Sequence, residues 1–308
     1  MSKPEKIIEE AKRLEKSKSI FEYFMKDITY NRYEQISELY EKAGYMYKIE
    51  DKSKALECFI LSYENLSLYP NIYDTGNYKI KKLLTEIAEL YSKIDYLQSI
   101  EYYEKIIVIL MEIGDIANIA KIYEIIGNTY FDNSEYEKAY AIYLKIIDLL
   151  NFNDKHIEIK RNVVEKICEI YCEKESIVDI FKLLKLNFDV GEEYLKKKLG
   201  YISARSFIFN GLLMNFATED FVETNNNLRK YSYMDHTFTT TREHEFVSKL
   251  IYMQETNNYE EFAFLCDGYD KIKSLSKIQL KILLKIKNNT PYTDDYMENK
   301  NESENDLC

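Results

Sequence analysis

A three-residue signature, met four times along the chain, limits what this sequence can fold into. An aromatic residue is followed by a small or aliphatic one, and four positions later by a second aromatic: Tyr47, Ala55, Phe59; Tyr91, Ser99, Tyr103; Tyr130, Ala139, Tyr143; Tyr171, Ile177, Phe181. Between these points apolar residues keep helical spacing, as in Ile36, Leu39, Tyr40, Ala43 and Tyr47, or Leu83, Ile87, Leu90 and Tyr91. Strand-like alternation is absent. The signature therefore predicts that the first aromatic closes a helix and the small residue opens its partner. The small residue lets two helices approach, and the aromatics fill the seam between successive pairs.

The repeat length of roughly 40 residues exceeds the 34 of a strict tetratricopeptide but is of the same helix-turn-helix kind. The scarcity of turn formers agrees, since 8 Gly and 3 Pro in 308 positions are too few for an all-β fold or for Gly-rich phosphate loops. The expected fold is all-α, a tetratricopeptide-like right-handed array of antiparallel helix hairpins with a C-terminal helical bundle. Beyond residue 190 the spacing changes, and Ser203–Phe216, Glu219–Lys230, Arg242–Glu255, Tyr259–Ile272 and Ser276–Lys287 read as helices, with breaks at Asn225-Asn226-Asn227 and Asn257-Asn258. The expected division is an N-terminal helix and apolar loop over 1–26, the hairpin array over 27–189, the bundle over 190–290 and a flexible acidic tail over 291–308.

Charge and cysteine usage narrow the function. With 42 basic and 53 acidic residues the net charge is −11, which disfavours nucleic acid as a partner. No secretory leader or bilayer-length apolar run is read, so a cytoplasmic protein is expected. Cys58, Cys168, Cys172, Cys266 and Cys308 are odd in number and scattered, as expected of reduced thiols. Cys168 and Cys172 share a helix face, yet no Cys or His pair nearby completes a metal site, and they read as buried core thiols. His156, His236 and His244 assemble into no triad, and no nucleotide-binding or hydrolase motif occurs. An enzyme is not expected, nor a cofactor or metal.

Three features exceed what a plain scaffold needs. Ile20 to Met25, which includes Phe21 and Phe24, groups large apolar residues near the chain start; they either dock on the first helix pair or insert into a membrane or partner. Basic residues recur early in successive helices: Lys79, Lys81 and Lys82, then Lys121, then Lys160 and Arg161, then Arg205. Such charges form either a solvated face or the lining of a concave surface. Finally, the acidic tail ends in Asp306-Leu307-Cys308, with Leu307 as the only aliphatic residue after Met297.

These features coincide in a known family. The chain resembles the soluble NSF-attachment proteins from about residue 10 to its end. The N-terminal part of the likeness is Glu10-Ala11-Lys12-Arg13, Ser19-Ile20-Phe21 and Tyr40 to Lys48. The C-terminal part is Ser203-Ala204-Arg205-Ser206-Phe207-Ile208-Phe209, Tyr231, Phe238, Arg242-Glu243, Lys249-Leu250, Tyr269-Asp270 and Leu283 to Lys287.

The resemblance implies an adaptor, monomeric in isolation, whose copies surround a SNARE four-helix bundle and recruit and stimulate the NSF-type AAA ATPase, with peripheral contact to the membrane. It places Lys121, preceded by Ile119-Ala120, and Arg161 at SNARE-facing positions, with Lys81, Lys82 and Arg205 on the same expected basic surface. It places Phe21, and Phe24 beside it, in a membrane-touching loop. Glu219, Glu255, Asp306 and Leu307 fall at positions that face the ATPase. Departures accompany the likeness: Tyr252 and Thr256 occupy two positions that are acidic in the family, and Glu22, Tyr23, Met25 and Lys26 replace a glycine-rich loop. The alternatives are a tetratricopeptide-like scaffold for peptides, or a pathogen mimic that blocks host SNARE recycling.

Overall fold

The computed structural model describes residues 2–17, 26–68, 74–150, 156–198 and 200–290. Among these residues the fold is all-α, with fourteen α-helices and no strand. The Cα framework separates into two compact units, Met1–Thr129 and Tyr130–Cys308, each described in turn.

Aspartates set the turns. Asp51, Asp95, Asp115, Asp179 and Asp220 each stand just before a helix, and each carboxylate accepts a backbone N–H from its first turn, at 3.0 to 3.3 Å. Such a cap satisfies a donor that the helix itself leaves unpaired and contributes about 1 kcal/mol.

In the first unit, α1 (Lys3–Lys16) opens on a capping box between Ser2 and Glu5 and lays Ala11 against Ile36 and Tyr40 of α2 (Lys26–Glu50). Only Asp51 separates α2 from α3 (Lys52–Ser67), so the chain turns back at once. Ala43 and Tyr47 then meet Ala55, Cys58 and Phe59, and Leu83, Ile87 and Leu90 of α4 (Asp74–Tyr91) close this core. Helices α2 and α3 approach so closely because Gly44 has no side chain. A Cβ there would sit 2.9 Å from Cε1 of Phe59. The hairpin of α4 and α5 (Tyr96–Glu112) is tied by Ser99, whose buried hydroxyl donates to the Ala88 carbonyl at 2.8 Å. Helix α6 (Ile116–Asp132) follows a turn in which Gly114 adopts φ +70°.

In the second unit, α7 (Tyr136–Leu150), α8 (Ile157–Glu173) and α9 (Ile180–Lys196) continue the hairpins, with Ala139 and Tyr143 fully buried. Helix α10 (Tyr201–Ala217) is mostly apolar and buried on nearly every side from Phe207 onward, which suits only a helix surrounded by others. It packs against α9, α11 (Phe221–Met234), α12 (Arg242–Thr256) and α14 (Lys277–Asn289). Two glycines set its distance from α9: a Cβ on Gly191 would lie 2.8 Å from Ile208, and one on Gly211 would lie 2.5 Å from the Phe188 ring. Phe209, Phe246 and Tyr269, the last from α13 (Phe262–Asp270), bring their ring centroids within 5.3–5.6 Å of one another.

Some expectations need correction. In the first three signatures Tyr47, Ala55, Phe59, Ser99, Tyr103, Ala139 and Tyr143 are buried, whereas Tyr91 and Tyr130 are half-buried. Tyr91 stacks on Tyr102, and Tyr130 lies under the Lys138 ammonium. The fourth signature fails: Phe181 is 62% exposed. A 3-10 turn over Glu175–Ile177 intervenes between α8 and α9 and shifts the register, so that Leu183, Asn187, Val190 and Gly191 face inward instead. The run Asn225-Asn226-Asn227 does not break a helix but lies inside α11, where buried Asn227 donates to Asn215 at 2.9 Å. Asn257 does end α12, in the left-handed conformation.

Adding a methyl at Gly44 or Gly211 should overpack the seam and cost about 1–3 kcal/mol each. This is read as a lower urea midpoint at unchanged m-value. Gly268→Ala, on a helix with no other heavy atom within 4 Å of the added Cβ, is the contrast and should gain about 0.5–1 kcal/mol.

Candidate functional site

The basic residues of α4 fall into two groups. Lys79 is held by Glu34 and by Glu38 at 3.1 Å, and Lys82 by Glu41 at 2.8 Å. The three glutamates lie on one stripe of α2, so the two helices are laced by charge as well as by apolar contact. The Glu41 hydrogen bond holds the Lys82 ammonium above the ordinary lysine value, and the same ammonium sits 5.1 Å from the Tyr45 ring centroid.

Lys81 points elsewhere. Its Nζ is 5.8 Å from the Tyr78 ring centroid and makes no ion pair among the described residues. Lys121, exposed on α6, likewise has none. Both act on the cap of α6 through their charge. The Asp115 carboxyl is held below the ordinary carboxylate value, first by the side-chain and backbone N–H groups of Asn118, and further by the charges of Lys81 and Lys121. The charges of Lys81 and Lys121 thus both bear on Asp115, less than the Asn118 hydrogen bonds do.

Arg161 and Arg205 of the second unit are engaged internally. Arg161 lies 3.3 Å from Glu158, which also accepts the Tyr194 hydroxyl at 2.8 Å. Arg205, 21% exposed, donates through Nε to Asp235 at 2.7 Å and through a terminal nitrogen to Thr237. It therefore pins α10 to the 3-10 turn His236–Thr240, which Asp235 caps. Lys160 is buried against Glu193 at 3.2 Å.

Glu219 and the neighbours of Glu255 come together at one end of this unit. Glu219 turns the chain from α10 to α11 at φ +64° and accepts from Asn289 at 3.1 Å. A cavity of 190 Å³ there is lined by Glu219, Phe221, Gln254, Asn257, Tyr259 and Asn289 among others. Glu255 itself is exposed on the last turn of α12. Helices α10, α12 and α14 all end here. Phe21, Phe24, Asp306 and Leu307 lie outside the described residues. Among the described residues no helix is long and apolar enough to cross a membrane.

Sequence reasoning located the basic residues but missed the acidic row of α2 that neutralises two of them. It also missed Asp115 as the link between Lys81 and Lys121. The available signal was the spacing of Glu34, Glu38 and Glu41, a stripe of like charge that needs a partner.

Against known proteins, the chain matches the family described as "Soluble NSF attachment protein, SNAP" over residues 2–291. It is 25% identical over 252 residues to the "Vesicular-fusion protein SEC17" of Komagataella phaffii, covering 82% of this chain and 70% of that one. It is 20% identical over 257 residues to the "Alpha-soluble NSF attachment protein" of Vitis vinifera, covering 83% and 86%. Among solved structures, the apo form of RapI aligns with 82% of this chain and 99% of its own, at 14% identity and a TM-score of 0.40.

The Arg205–Asp235 pair has a measurable consequence. Burial works against the Asp235 carboxylate, but the hydrogen bonds from Arg205 and Thr237 prevail and hold its pKa below the ordinary 3.8. A carboxyl lowered in the folded state stabilises the fold above its unfolded value, and this stabilisation is lost as pH falls through the folded value. Arg205→Ala should cost about 2–3 kcal/mol at neutral pH, because it strands a nearly buried carboxylate. The penalty should shrink as pH drops below the ordinary value of 3.8, as followed by urea unfolding between neutral and acid pH.

Proposed function

Because the chain belongs to the soluble NSF attachment protein family, we propose that it serves vesicle fusion as an adaptor rather than an enzyme, binding assembled SNARE four-helix bundles and recruiting and stimulating an NSF-type AAA ATPase. The observation that carries this reading is the match to that family over residues 2–291; on a chain of net charge −11, Lys81 and Lys121, which make no ion pair among the described residues, are its candidate bundle-facing cations. A bundle with an acidic surface suits such a site, and long-range attraction between the two favours orientation as well as affinity. Lys82 contributes less, because Glu41 already shares its charge. Arg161 and Arg205 contribute what their internal ion pairs leave available.

In the same proposal the end of the second unit that carries Glu219 and Glu255 faces the ATPase, together with Asp306 and Leu307 in the segment after residue 290. Phe21 and Phe24 supply a peripheral membrane contact. One aromatic side chain is worth roughly 1.5–3 kcal/mol on burial, so this contact matters when several otherwise monomeric copies surround one bundle.

The test is capture of an assembled SNARE bundle at low salt. Lys81→Glu with Lys121→Glu should weaken binding by about tenfold or more and flatten its salt dependence. Unchanged affinity sinks the assignment of this face. Leu307→Ala should leave bundle capture intact and reduce the ATP hydrolysis stimulated in the partner ATPase.

A further inference from the structure

A groove of 580 Å³ opens in the second unit between α8, α10 and the start of α14. It is separate from the end that carries Glu219, since it meets α14 at Ser276–Ile278 whereas the Glu219 cavity meets that helix at Ile286 to Thr290. The axial separation is roughly 15 Å at 1.5 Å per residue. Along one wall α8 presents Glu165, Cys168, Glu169, Cys172 and Glu173, residues three and four apart and therefore on one stripe.

The floor is apolar. Phe207, Ile278 and Cys168 are each less than a tenth exposed. Burial pushes the Cys168 thiol up to about 12 and raises that of half-buried Cys172 as well. At neutral pH both thiols are therefore predominantly uncharged, polarisable surface.

The rim is charged and only partly compensated. Glu165 and Glu173 are exposed and make no ion pair among the described residues, and Glu169 shares its charge with Lys166 at 2.7 Å. Across the groove Lys277 faces these carboxylates from the lining, and Lys281, one turn further along α14 and shared with Glu175, adds its charge near Cys172. A groove with an apolar floor and an excess of carboxylates on its wall is complementary to an apolar side chain flanked by cations.

We infer that this groove docks a basic amphipathic helix of a partner protein, with an apolar side chain seated over Phe207, Cys168 and Ile278 and lysine or arginine side chains meeting Glu165 and Glu173. Those two glutamates are eight residues apart on α8, about 12 Å along the axis, so matching cations eight residues apart on the incoming helix span the same length. The volume falls within the range of about 300–1,000 Å³ usual for recognition pockets, room for one or two anchoring side chains.

The test uses the full chain and a fluorescein-labelled, alanine-based helical peptide with a central leucine pair and lysines eight residues apart. Two control peptides replace the lysines by glutamate or the leucines by serine. By fluorescence anisotropy at low salt the lysine–leucine peptide should bind, and each control should bind at least about tenfold more weakly. Glu165→Gln with Glu173→Gln, both on the surface, should lower affinity about tenfold and leave the circular dichroism spectrum unchanged. Bound peptide should also slow maleimide labelling of Cys172. Equal affinity for the double variant, equal binding of either control, or unprotected Cys172 overturns the inference.

Discussion

The structure depends on how closely neighbouring helices approach, and three contacts of side chain against bare backbone set that distance. Phe59 lies on Gly44, Ile208 on Gly191, and Phe188 on Gly211, each so near that a single methyl would collide. Close approach brings the flanking side chains into contact and excludes water from the seam, which is how a hairpin of modest length becomes stable. Once α2 and α3 are locked, Leu83, Ile87 and Leu90 of α4 find a formed surface to cover. In the second unit the glycines of α9 and α10 let a mostly apolar helix sink between its neighbours, and α11, α12 and α14 close around it.

Packing then decides which charges remain available to partners. Glu34, Glu38 and Glu41 lie across from α4 and engage Lys79 and Lys82, while Lys81, one position from Lys82, is turned away from that row. Arg205 is drawn to Asp235, and Arg161 to Glu158. Residues of equal charge thus have unequal roles: some hold helices together, and others keep an unshared field. The same sorting leaves Glu165 and Glu173 beside an apolar floor with little to neutralise them.

The motifs that carry the family likeness divide along the same line. Phe207, Ile208, Phe209, Tyr231, Phe238, Leu250 and Tyr269 are buried, so most of the C-terminal signature is the core of the bundle. It identifies the family because it identifies the fold. Lys121, by contrast, is exposed, so the bundle-facing role proposed for it draws nothing from the core.

Helix content and most of the first three repeat signatures were legible along the chain, because a 3.6-residue stripe is a local property. Register across the Glu175–Ile177 turn was not legible, since an inserted 3-10 turn changes which face of α9 points inward without altering its periodicity, and Phe181 moved to solvent. The Asn run in α11 misled for a related reason. Local propensity favours a break there, but Asn227 gains a buried partner in Asn215 from another helix. Cys168 is the buried thiol that was read, whereas Cys172 is only half-buried at the edge of an open groove, because α10 and α14 arrive from distant parts of the chain to form its other walls. Local chemistry made this chain a set of capped amphipathic helices; contacts between residues far apart in sequence settled which charges cancel, which stay free and where a groove remains.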